Sequence, residues 1–136
     1  MFDFILEHQY LSTVLFYSVV IISILISLFI FELVTRYKNW EQIQKGNLSV
    51  AMATGGKIFG IANIFRFSIE HNDSLVQTIQ WGAFGFLLLL IAYFIFEFMT
   101  PKFNVDKEIE KDNRAVGLLS LLISVGTSFV IGASIT

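Results

Sequence analysis

Three ionisable side chains stand inside apolar surroundings, and they frame the chemistry open to this chain. Glu32 lies in FIFELVT, residues 29–35, and Glu97 in FIFEFMT, residues 94–100; five of the seven positions are identical, 65 residues apart. Lys57 lies in GGKIFG, residues 55–60. Ionised groups leave water at high cost, so intramembrane charges face a bundle interior or a wet cavity and find partners. Two carboxylates facing one axis would share a proton or hold a cation, because like charges held close cannot both ionise freely. The competing expectation is that both acids lean toward the membrane interface and meet Lys38 and Lys102. Lys57 lies nine residues past Leu48, about 14 Å into a helix and near a bilayer midplane. Its expected partner is Glu97, Glu32 or a neighbouring subunit; otherwise its stem reaches a water-filled crevice.

Other polar positions read as structural. Asn47 and Asn113 match across the repeat and each directly precedes a return helix, where Asn is a strong N-cap; a polar mouth is the minor alternative. Gly56 and Gly60 form a GxxxG pattern, and Ser120, Ser124, Ser128 and Gly132 form an i, i+4 ladder. Such faces let helix backbones approach closely. Arg66 and Glu70 sit at i, i+4 and read as an interfacial pair. No cysteine is present, and His8 and His71 lack the spacing of a metal site. No nucleophile motif, phosphate loop or dinucleotide fingerprint appears, so no enzyme activity, metal or cofactor is expected.

The elements that must position these groups are membrane helices. Of the 136 residues, 55% are hydrophobic and 15% charged, too few charges to coat a soluble globule. Mean hydropathy is +0.72. Four apolar runs reach spanning length: Leu11–Val34, Leu48 to about Ile69, Leu75–Met99 and Ala115–Thr136. Period-two alternation is absent, so helices rather than a barrel are expected. The first run lacks a basic n-region and a cleavage site, so it is expected to remain as an anchor. Seven of the nine basic residues lie between runs one and two or between three and four, and the HNDS connection has none. Both basic loops are therefore expected in the cytoplasm, with both termini outside. Tyr37, Trp40 and Phe103 fall at an inner aromatic belt, Tyr10 and Trp81 at an outer one. The net charge of −2 gives no reason to expect nucleic acid.

The FIFE similarity continues. IQKGNLSV, residues 43–50, matches IEKDNRAV, residues 109–116, at an offset of 66, which places one extra residue in the second basic loop. Lys57 has no mate, since Ile123 occupies its position. The expected architecture is one all-α membrane domain, residues 1–136. It comprises four transmembrane helices as two parallel two-helix repeats, about 11–70 and 75–136, around a pseudo-twofold axis along the membrane normal. Two copies of FIFE…KxN…V…G resemble the domain-of-unknown-function-350 family of bacterial inner-membrane proteins. That resemblance implies four spans in two two-helix units, an inner-membrane location and cytoplasmic or membrane protein partners.

Two function classes remain. One is a small proton or cation channel or transporter using Glu32, Glu97 and Lys57. The other is a structural or regulatory subunit that recruits partners through its basic loops, Trp40–Lys45 and Lys102–Arg114. Besides the lipid bilayer, a homo-oligomer, dimer or larger, is expected from the small-residue faces and the charges to be sequestered.

Overall fold

The computed structural model describes residues 8–34, 39–71, 74–98 and 105–135, with backbone alone at positions 97 and 98. The chain is all-helical, and no strand occurs among the described residues. Its helices are α1 (Gln9–Val34), α2 (Asn39–Gln44), α3 (Leu48–His71), α4 (Leu75–Phe98), α5 (Val105–Glu110) and α6 (Arg114–Ser134). Four of these, α1, α3, α4 and α6, are long and apolar enough to cross a membrane. Helical backbone is required there because lipid offers no hydrogen-bond partner. The few hydroxyls in α1 obey the same constraint. Ser23 and Ser27 each donate to the carbonyl four residues earlier, both at 2.8 Å.

The closest pair is α3 and α6, and glycines set the approach. A Cβ on Gly56 would stand 2.7 Å from the Leu121 Cα, and one on Gly117 2.7 Å from the Ser49 Cα. Gly60 faces the Ser124 carbonyl oxygen, and Gly132 lies under the Phe67 ring. Ser120, Ser124 and Ser128 are all buried along this seam. The GxxxG pattern and the serine ladder thus meet within one chain, as small residues permit. Helix α4 packs on α3 by a second close approach, with Phe65 over Gly82 and Ile64 over Gly85. Helix α1 buries only Val20, Ser27 and Phe31 and leaves most of its apolar surface outward, which suits a lipid-facing position.

The connections, which the sequence reading treats as basic loops, hold two short helices, α2 and α5. Each has one inward face. Val105 and Ile109 of α5 are fully buried with Val50, Ala53 and Val116, and Ile43 of α2 packs against the same group. The two connections share their local geometry at positions 66 apart. Gly46 and Asp112 adopt positive φ, 86° and 63°. Their amides donate to Ile43 and Ile109 carbonyls at 2.9 and 3.0 Å. The amides of Asn47 and Asn113 then donate to Gln42 and Glu108 carbonyls at 3.0 and 2.9 Å. These bonds satisfy the terminal carbonyls of each short helix before the chain turns into a span. The extra residue assigned to the second basic loop falls among residues 99–104, outside the described residues.

Candidate functional site

Lys57 is buried to 0% exposure on α3, between α1 and α4. Its Nζ lies 5.0 Å from the Phe31 ring centroid and 5.1 Å from that of Tyr93. The two rings meet edge to face, 5.7 Å apart at 88°, and Phe86 buttresses Phe31 at 5.7 Å. Aromatic faces attract a desolvated ammonium by about 2 kcal/mol, which offsets only part of the cost of burial. A polar continuation exists through Tyr93, whose hydroxyl donates to the Asp106 carboxylate. Asp106 is itself only 2% exposed. Val105 and Ile109 anchor α5 against the bundle, and that docking carries Asp106 inward. The result is a buried cluster, Phe31, Lys57, Tyr93 and Asp106, assembled from four helices.

Asp106 and Tyr93 were not singled out from sequence. Asp106 lies in VDKEIEKDNR, which reads as a solvated mixed-charge stretch. The available signal was Val105 and Ile109 at i, i+4, an inward stripe one turn long.

Glu32 is half-buried near the end of α1 and lines a cavity of about 140 Å³ with Asn39, Trp40 and Thr54. The side chain of Glu97 lies outside the described residues, as do Lys38, Lys102, Tyr37 and Phe103. The expected pairing of the two acids therefore has no geometry here. By position, Glu97 stands one turn beyond Tyr93 on α4, and Glu32 directly follows Phe31. Glu32 thus adjoins in sequence, and Glu97 follows by one turn, an aromatic residue whose ring lies beside Lys57.

Asn113 is the N-cap of α6 and accepts from the Val116 amide at 3.4 Å. Asn47 accepts from the Val50 amide at 3.0 Å, the same service for α3. It does more than cap, since its Nδ2 donates to the Glu110 carbonyl at 2.8 Å and the Ile109 carbonyl at 3.2 Å. Asp112 returns the link by accepting from the Ser49 amide at 2.9 Å. That bond, ahead of Arg114 nearby, holds the Asp112 carboxyl below its ordinary value of 3.8.

Toward the other end of α3, Arg66 binds Glu70 at 3.0 Å and donates to Asn63 at 3.1 Å. Asn63 donates to Ser128 at 3.0 Å, tying α3 to α6. No cluster of three His, Cys, Asp or Glu side chains that could hold a metal occurs among the described residues.

Residues 5–135 match the family described as Domain of Unknown Function (DUF350), and the chain belongs to that family. It is 60% identical over 129 residues to UPF0719 transmembrane protein YshE of Bacillus subtilis (strain 168), covering 95% of this chain and 96% of that protein. It is also 40% identical over 67 residues to Protein PNS1 of Cryptococcus neoformans var. neoformans serotype D (strain JEC21 / ATCC MYA-565). That match spans 47% of this chain and only 12% of the fungal protein. No solved structure matches the chain. The protein is a transmembrane protein by its four spanning helices and by this bacterial relative.

Proposed function

We propose that this protein moves protons, or a small cation, across the bacterial inner membrane, with Lys57 as the central charged group. The observation that carries the reading is a lysine with no exposed surface in a spanning helix, its ammonium over two rings, one of which binds a buried aspartate. A buried lysine switches between charged and neutral forms more readily than a surface one. Tyr93 can donate and accept, and Asp106 stands on the connection that the basic-residue distribution assigns to the cytoplasm. Protons would enter past Asp106 and Tyr93, with Glu32, half-buried near the end of α1, as a further carboxylate. The matching hydrogen bonds at positions 66 apart support a duplicated two-helix unit. Lys57 breaks that symmetry, so the route beyond it is single.

The test is proton flux into liposomes containing the purified chain, read with a trapped pH dye. Lys57→Met keeps the stem and removes the amine, so flux should vanish. Tyr93→Phe keeps the ring and removes the hydroxyl, so flux should fall. Equal flux in wild type and both variants, or none in wild type under any gradient, would sink the reading. The second reading, a structural or regulatory subunit, then takes over. It is favoured by Trp40, 60% exposed on α2 beside exposed Lys45, and by exposed Lys107, Glu110 and Lys111 around α5. Those side chains suit cytoplasmic or membrane protein partners. A homo-oligomer would use faces other than the α3–α6 seam, whose glycines and serines are consumed inside the chain.

A further inference from the structure

We infer that the outward face of α3 near its C-terminal end binds a zwitterionic phospholipid, with Arg66 taking the phosphate and Glu70 the ammonium of a phosphatidylethanolamine headgroup. The guanidinium is held in place before any ligand arrives. Its Nε donates to Asn63 and its Nη1 to Glu70, and its Cζ lies over the Phe67 ring, 4.3 Å from the centroid. Asn63 is 7% exposed and is itself fixed by its bond to Ser128. An arginine anchored on a ring and a buried amide loses little freedom on binding. Neither bond uses Nη2, which keeps its hydrogens for a phosphate oxygen. The Arg66 and Glu70 side chains stay 49% and 52% exposed, so their pairing leaves both open to a further partner.

Depth and shape point to a lipid. The 24 residues of α3 make a helix about 36 Å long, against a hydrocarbon core of about 30 Å. Centred there, the helix places the Arg66 Cα about 5 Å inside the hydrocarbon edge, and the stem lifts the guanidinium toward the lipid phosphates. One and two turns deeper, Ala62 and Phe59 line a groove of about 230 Å³ with Asn63 and Arg66. One turn past Arg66, Ile69 borders a second groove of about 460 Å³, walled by Ser12, Thr13, Phe16 and Tyr17 of α1. Positions three and four apart share a helix face, so two grooves flank one ion pair. A phospholipid has the same layout, two acyl chains under one headgroup. Charge then selects the headgroup. Arg66 and Glu70 cancel, and the connection after α3 adds Asp73 and no lysine or arginine. This end of α3 offers no surplus positive charge to an anionic lipid, whereas a headgroup of both signs matches the pair. A primary ammonium also donates hydrogen bonds to Glu70, which the methylated ammonium of phosphatidylcholine cannot.

The site lies apart from Lys57, Tyr93 and Asp106, so it stands or falls independently of proton flux. The experiment is native mass spectrometry of the full chain in mild detergent. The protein is titrated separately with phosphatidylethanolamine, phosphatidylglycerol and phosphatidylcholine carrying the same acyl chains. Phosphatidylethanolamine should give a saturable adduct at the lowest concentration of the three. Arg66→Gln should raise its half-saturating concentration about tenfold or more, the scale of one hydrogen bond between charged groups. Glu70→Gln removes the partner of the ammonium and leaves the guanidinium charge unbalanced, so preference should pass to the anionic phosphatidylglycerol. Ala62→Phe fills the first groove from an exposed position and should weaken all three lipids. Arg114→Gln, at the opposite end of the bundle and 72% exposed, should change nothing. Equal affinity for the three lipids would overturn the site, as would phosphatidylethanolamine binding unmoved by Arg66→Gln. A folded Glu70→Gln protein that keeps the wild-type preference would overturn it too, and that exposed change decides the matter even where Arg66→Gln does not fold.

Discussion

Tyr93 carries two duties that a single atom separates. Its ring lies beside the Lys57 ammonium, and its hydroxyl binds Asp106. Tyr93→Phe keeps the first duty and removes the second. Unfolding free energy should fall by about 1.5–3 kcal/mol, the worth of a hydrogen bond to a charged group. Denaturation in mild detergent would measure it, and an unchanged stability would mean Asp106 finds another donor. Asp112 poses a different question. Its φ is positive and its carboxylate accepts from the Ser49 amide. Asn tolerates the same backbone, so Asp112→Asn isolates the charge. The Asp112 carboxyl is held below 3.8, so its stabilisation is present above that value and is lost as pH falls through the lowered one. Wild-type stability should therefore drop at acid pH by more than that of Asp112→Asn, as read from unfolding midpoints across pH 2–5, a range of about three units. Parallel profiles would remove the charge from the account. Lys57 was legible from sequence because depth follows from counting along one helix. Asp106 was not, because its burial depends on where another segment docks.

Helices α3 and α6 show which small residues set the packing and which are incidental. Gly56 and Gly126 look alike in sequence, each within a span. A Cβ on Gly56 would meet the Leu121 backbone at 2.7 Å, whereas nothing stands within 4 Å of one on Gly126. Gly56→Leu should destabilise by about 3 kcal/mol or more, since backbone cannot move aside as a side chain can. Gly126→Leu should be neutral or stabilise by up to about 1 kcal/mol, glycine being a poor helix former. Both are read by detergent denaturation, and equal effects would mean the seam is looser than described. The spans themselves were legible almost to their ends. Leu48 opens α3 as expected, and α6 begins at Arg114, one residue before the expected Ala115. Apolar length alone decides where a helix crosses lipid. The short helices α2 and α5 were not legible, because six residues with one apolar pair carry too little periodicity to distinguish from a loop.

At the scale of the whole molecule, the two short helices and their charges gather on one side of the bundle, and that fixes which way it should sit. Each of α2 and α5 links the end of one span to the start of the next, and Asn47 joins the two connections directly. They must therefore occupy the same membrane face. In sequence, the two connections that hold α2 and α5 contain seven of the nine basic residues, and the connection between α3 and α4 contains none. The cytoplasmic side retains basic loops during insertion, so α2 and α5 should be inside and both termini outside. The chain contains no cysteine, so one introduced thiol reports one place. Gln77 is exposed in the first turn of α4, and Gln44 is the exposed last residue of α2. Neither change touches a basic residue, so neither disturbs the signal under test. In intact cells, a membrane-impermeant maleimide should label Gln77→Cys and spare Gln44→Cys, and permeabilisation should expose the second. The reverse pattern would invert the molecule. It would then place the buried Asp106–Tyr93 pair at the outer end of the bundle, and the proton entry proposed there would draw from outside the cell.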